Sequence, residues 1–158
     1  MREAHIDHSE LTKLVKKLEE TPQVLSSAKR QAFEAAAPKL KAAVDQEIGG
    51  TGKVRRWQEK YVGSKGGYAA VRPKAKTYIE TKGKQKGFRA GSKRYAVGCI
   101  TNAINNGHLS PRNTFGYRTS GRVTSGKQFY QRAQDRVPYI AQEAAEQIVQ
   151  ALTDHLGG

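Results

Sequence analysis

An α+β fold is what this sequence predicts, and three observations predict it. Apolar residues recur at helical spacing near both ends of the chain. Between them, from Thr51 to Arg94, that period is lost, and short segments rich in aromatic and β-branched residues replace it. A third stretch, Tyr95 to His108, is apolar, nearly uncharged and again helical in period. The predicted order is two N-terminal helices, a small antiparallel sheet with long basic loops, a short central helix, a basic loop and a long C-terminal helix. A chain of 158 residues fits a single domain, residues 1–158.

The elements follow in order. Ser9 is placed to cap a first helix, with Glu10 near its positive end and Leu11, Leu14, Val15 and Leu18 as its apolar stripe. Thr21-Pro22 is expected to end that helix and start the next, since Pro is favoured at a first helical position. Val24, Ala28, Ala32, Ala36, Leu40, Val44 and Ile48 then repeat every four residues, flanked by Phe33 and Ala37. Pro38 should kink or split this second helix, and Gly49-Gly50 should end it. Strands are expected around Trp57, Tyr61 and Val62, around Tyr68–Val71, and around Thr77–Ile79, with Gly63, Gly66-Gly67 and Pro73 between them. Residues 81–94 and 109–124 read as mobile polar loops.

In the central stretch Val97, Ile100 and Ile104 form one buried stripe beside Ala96 and Ala103, and Asn105-Asn106-Gly107 stops the helix. Ser125 to Gln128 fits a capping box for the last helix. That helix carries Phe129, Ala133, Val137, Ile140, Ala144, Ile148 and Leu152, and Pro138 should kink it near its start.

Charge is the dominant compositional feature. The net charge is +14, and it is not spread evenly. Residues 1–50 hold eight basic and eight acidic side chains, whereas residues 51–94 hold fourteen and two. Residues 95–136 add six basic against one acidic, and residues 137–158 carry three acids with no Lys or Arg. A basic middle between two ordinary helical ends attracts polyanions, largely without regard to sequence. Hydrophobic residues make up 37% of the chain and glycines number 16, which predicts a modest core with extended loops. No apolar run is long enough to span a membrane, and the N-terminus, with Glu3, Asp7 and Glu10, lacks the apolar stretch of a secretory signal.

Enzyme chemistry finds little support. Residues 51–136 contain only Glu59, Glu80 and Asp135 as carboxylates, too few for acid–base work or for holding a divalent ion. No nucleophile elbow, phosphate-binding Gly-Lys-Ser/Thr loop or zinc-protease helix is present. Neither a cofactor nor a metal is expected. Cys99 is the only cysteine, so no intrachain disulfide forms, and it reads as a small core residue. His108 reads as a partner of the central helix's C-terminal end more readily than as a metal ligand. His5 and His8 read as solvated, although their spacing suits a metal. Trp57 and the tyrosines interleave with Arg55, Arg56 and Lys60. That pattern suits a stacking platform for single-stranded nucleic acid, or, as the favoured reading, sheet aromatics packed on helices with snorkelling neighbours.

Several of these residues carry a resemblance. Tyr95-Ala96-Val97-Gly98, then Thr101-Asn102-Ala103-Ile104 running into Gly107-His108, resembles a signature of the tail-completion or neck proteins of long-tailed bacteriophages and prophages. Gly49 to Val54 is similar to that family's Thr-Gly-basic approach to its sheet, and Val123 to Tyr130 to the segment opening its last helix. One departure stands out: the family often has an acid just before the Gly-His, where this chain has Asn105 and Asn106, so a contact made by that acid would be missing.

The resemblance implies a structural, non-enzymatic minor tail protein of the virion, present in the host cytoplasm during assembly. It implies a homo-oligomeric ring at the top of the tail that bridges neighbouring neck and tail proteins in head–tail joining. It gives Tyr95, Val97, Ile100, Ile104, Gly107 and His108 the role of structural core. The bottom-up candidates for facing DNA, or an acidic partner, are Lys53, Arg55, Arg56, Lys82, Lys84, Lys86, Arg89, Lys93 and Arg94. The rival reading is a basic nucleic-acid-binding protein of ribosomal or nucleoid type. The Tyr95–His108 segment separates the two: buried scaffold fits the first, and exposed basic or aromatic side chains fit the second.

Overall fold

The computed structural model describes residues 9–50, 52–81, 93–109 and 123–157. Its elements are α1 (Ser9–Ile48), α2 (Gly52–Arg56), β1 (Gln58–Val62), β2 (Ala69–Pro73), β3 (Tyr78–Thr81), β4 (Lys93–Ala96), α3 (Val97–Asn106), β5 (Gly107–Leu109), β6 (Val123–Ser125), α4 (Phe129–Ala133), a 3₁₀ turn (Gln134–Arg136) and α5 (Val137–Gly157). The class is α+β, with the long helices at the ends and the short strands between.

One helix of 40 residues stands where two were expected. Thr21 does not cap a new helix; its hydroxyl donates back to the Lys17 carbonyl at 2.9 Å, and Nε2 of His155 on α5 meets the same carbonyl at 2.9 Å. Packing along α5 carries α1 past Pro22, a case of tertiary context overriding a local stop signal. Pro22 and Pro38 both lie on exposed sides of the helix. Farther along, the stripe behaves as its spacing predicts. Ala28, Ala32, Ala36, Val44 and Ile48 are buried, while Val24 and Leu40 are half-buried. Left-handed Gly49 and Gly50 then end the helix. The first stripe is corrected: Leu14, Val15 and Leu18 are exposed, because the ribbons and α4 cover other parts of α1.

The α1 and α5 helices pack antiparallel. Lys39 pairs with Glu143 near one end and Lys17 meets His155 near the other, with Ala32, Ala36 and Ala144 buried between them. Small residues let the two backbones approach closely.

Among the described residues the expected sheet takes the form of three two-stranded antiparallel ribbons: β1–β2, β3–β4 and β5–β6. Such ribbons are marginal alone. Here β1 and β2 lean on α1, β4 runs directly into α3, and β5 leaves it. Lys93 and Arg94, expected in a loop, lie on β4 opposite Thr81 and Glu80. The main core gathers Ala43, Val44, Ile48, Val54, Phe129 and Ala133, with Trp57, Val71, Ile104 and Tyr130 packed against it. Trp57 therefore follows the packing reading.

The last helix is interrupted ahead of Pro138, as expected. A 3₁₀ turn precedes α5, and Pro138 takes its second position, where a missing N–H costs little. The capping box does not form. Ser125 belongs to β6, and the N-cap of α4 is Gln128, whose own side chain makes no capping bond.

Candidate assembly and nucleic-acid interface

The joint between α3 and α4 is where the family-like segment does its structural work. Gly107 is left-handed, and a Cβ there would sit 2.4 Å from the Thr124 carbonyl oxygen. A Cβ on Gly126 would sit 2.3 Å from the Asn105 carbonyl oxygen, so two glycines let the strand backbones cross. The last carbonyls of α3 are taken by the crossing chain. Lys127 N–H donates to Ile104 at 2.9 Å, and Gln128 N–H donates to Asn105 at 2.8 Å. The Asn105 side chain then turns the other way. Its Oδ1 accepts from the Tyr130 N–H at 3.0 Å, and its Nδ2 donates to Gln131 Oε1 at 3.1 Å. Asn105 is 3% exposed and caps α4 from another element, supplying what Gln128 does not.

A buried polar relay continues from there. Tyr130 Oη donates to Gln58 Oε1, and Gln58 Nε2 donates to the Val54 carbonyl at 3.1 Å. Burial pushes the Tyr130 hydroxyl up to about 12. Gln58 and Val54 thus tie α2 and β1 to α4. On the other side, Arg132 of α4 donates to the Glu47 carboxylate at 2.8 Å and to the Glu47 backbone carbonyl at 2.8 Å. The last turn of α1 has no basic residue of its own, so Arg132 supplies the positive charge that a helix C-terminus favours.

This frame places the basic candidates. Val54 points inward and anchors α2; Lys53, Arg55 and Arg56 are exposed around it. Arg56 Nε donates to the Gly52 carbonyl at 3.1 Å, and none of the three has an acidic partner among the described residues. Lys60, Lys65, Lys74 and Lys76 are also exposed and without acidic partners among the described residues. Across residues 52–78 the single carboxylate, Glu59, is already engaged by Arg72 at 3.1 Å. The positive field over α2 and the first ribbon is therefore uncompensated locally. Lys82, Lys84, Lys86 and Arg89 lie outside the described residues, as do His5 and His8 and most of the two expected loops.

The core candidates divide. Val97 is fully buried, Ile100 and Ile104 are half-buried, and Gly107 is the left-handed crossing residue on β5. His108 is the next residue of β5, opposite Thr124. Tyr95 is corrected: it sits on β4, not on the helix, and is 43% exposed. Cys99 is also corrected; it is exposed, because α3 turns Val97, Thr101 and Asn105 to the core and Cys99 falls on its other side. Thr101 and Asn105, the fully buried polar pair of α3, and Arg132 were missed. Their signal was the four-residue spacing Val97, Thr101, Asn105, which polar identity concealed.

Among the described residues no three metal-ligating side chains come together, and no helix is long and apolar enough to cross a membrane. Comparison with known proteins finds no matching family model, no matching curated sequence and no matching solved structure.

Proposed function

We propose that this protein is a non-enzymatic structural component of a bacteriophage or prophage head–tail junction, a tail-completion or neck protein. It acts by oligomerising into a ring at the top of the tail and bridging neighbouring neck and tail proteins, with its surplus cations serving DNA passage. The observation that carries the reading is the state of the segment bearing the resemblance. Val97, Thr101 and Asn105 are buried, and Asn105 fastens α3 to α4. A segment used as a scaffold joint supports a building block over a dedicated ligand reader.

The cations Lys53, Arg55, Lys60 and Lys65, exposed and without acidic partners among the described residues, favour a second reading, a basic nucleic-acid-binding protein of ribosomal or nucleoid type. Antibody labelling of intact particles induced from the source strain, imaged by electron microscopy, separates the two. Label confined to the head–tail junction is the expected outcome. Absence from particles, with the protein sedimenting with RNA or chromosomal DNA at physiological salt, replaces the first reading by the second.

A further inference from the structure

We infer that the outer face of the β1–β2 ribbon is a stacking site for unpaired bases of single-stranded nucleic acid, centred on Tyr68, Tyr61 and Arg72. This goes beyond the head–tail reading and does not depend on it. Antiparallel register places Glu59 opposite Arg72 and Tyr61 opposite Ala70, so these four share one face. Tyr68, two residues before Ala70, and Lys74, two after Arg72, extend the same alternation; Lys74 N–H still donates across to the Trp57 carbonyl at 2.7 Å. The stripe from Tyr68 to Lys74 is roughly 20 Å long.

Its parts are fixed before any ligand arrives. The Arg72 guanidinium lies 3.7 Å from the centre of the Tyr61 ring and is held from the side by Glu59. The Tyr61 and Tyr68 rings sit 5.9 Å apart at 52°. Tyr68 lies across the backbone at Gly63, where a Cβ would come within 2.6 Å of its ring. The turn beneath is closed by Gly63 N–H to the Tyr68 carbonyl at 2.9 Å and Gly66 N–H to the Gly63 carbonyl at 2.7 Å. Left-handed Gly66 presses that turn onto α1, where a Cβ would stand 3.0 Å from Arg30 Cα. Tyr68 remains 54% exposed, so one side of a rigid ring is offered to solvent.

Lys65 in the turn and Lys74 at the far end flank the rings, and both are exposed without acidic partners among the described residues. Flat aromatic faces between flanking cations are what single strands use, bases stacking and phosphates meeting charge. A duplex keeps its bases stacked on each other and offers this face only phosphates.

Fluorescence anisotropy with a labelled oligothymidylate and a duplex of equal length, titrated from 50 to about 300 mM salt, tests the site. Single strand should bind more tightly than duplex at the upper end. Tyr68→Ala should weaken single-strand binding about tenfold without changing its salt slope, and leave duplex binding unaltered. Lys65→Ala should instead lower the slope by about 0.7. Tyr139→Ala, at a 73% exposed tyrosine on acidic α5, should change nothing. Circular dichroism establishes that each variant is folded. Equal affinity for the two forms, or a folded Tyr68→Ala variant with undiminished single-strand binding, overturns the inference.

Discussion

Asn105 shows how much one side chain decides here. Its oxygen caps a helix that has no cap of its own, and its nitrogen reaches Gln131, the next residue of that helix. Where the family resemblance led to an expected missing acid, this asparagine makes its own contacts. Asn105→Ala should cost about 1–3 kcal/mol, since it removes an N-cap and leaves a buried N–H unpaired. Asn105→Asp keeps the acceptor and should cost clearly less. Urea midpoints of the two variants check this, and equal losses would remove the capping role. Tyr130 carries the pH dependence. Its hydroxyl ionises near 12 in the fold and near 10 when unfolded, so the folded state favours the neutral form. That contribution is complete below pH 10 and is lost as pH rises from 10 through 12. Tyr130→Phe should begin less stable by about 1 kcal/mol, having lost the bond to Gln58. It should then decline less steeply than the parent between urea titrations at pH 9 and pH 11.

At the scale of elements, α1 is the clearest case of packing overruling local chemistry. A proline inside a helix costs about 3 kcal/mol in the general case. Pro22 nevertheless sits in mid-helix, because it lies on an exposed side of α1 and because α5 runs alongside, its His155 meeting the Lys17 carbonyl one turn earlier. Pro22→Ala should therefore stabilise the protein, by about 1–3 kcal/mol, read as a higher thermal midpoint; a lower one would mean that the proline shapes the helix usefully. The ribbons teach the opposite lesson. The strands β1 to β3 are where alternation and β-branching place them, whereas β4 to β6 form in stretches that read as loop or helix end; among the described residues the ribbons do not join into one sheet, since β4 is committed to α3 and β2 to α1. What α3 contributes to function on the proposed reading is rigidity, through the carbonyls it gives to Lys127 and Gln128.

For the whole molecule, the decisive property is the separation of charge. The cations of α2 and the first ribbon have one carboxylate among them, while α5 has acids and no Lys or Arg. If Lys53, Arg55 and Arg56 contact phosphate together, replacing all three by Ala should lower the slope of log affinity against log salt on duplex DNA by up to about 2.7. An unchanged slope would place the DNA-facing charge elsewhere. Stability should hardly move, because only Val54 of α2 is buried.

By itself, the sequence determined the class, the long helical ends, the positions of β1 to β3, the glycine stops and the basic middle. These depend on residue spacing and on backbone geometry at glycine, which are local and survive without knowledge of neighbours. Tertiary structure decided that α1 is continuous and that Leu14, Val15 and Leu18 face outward, because both depend on which surfaces other elements cover. It likewise decided that Asn105 caps a helix 25 residues away and that Arg132 closes the end of α1. A polar side chain in the sequence carries no sign of its partner; only folding brings Tyr130, Gln58 and Asn105 together, and burial then makes their hydrogen bonds obligatory.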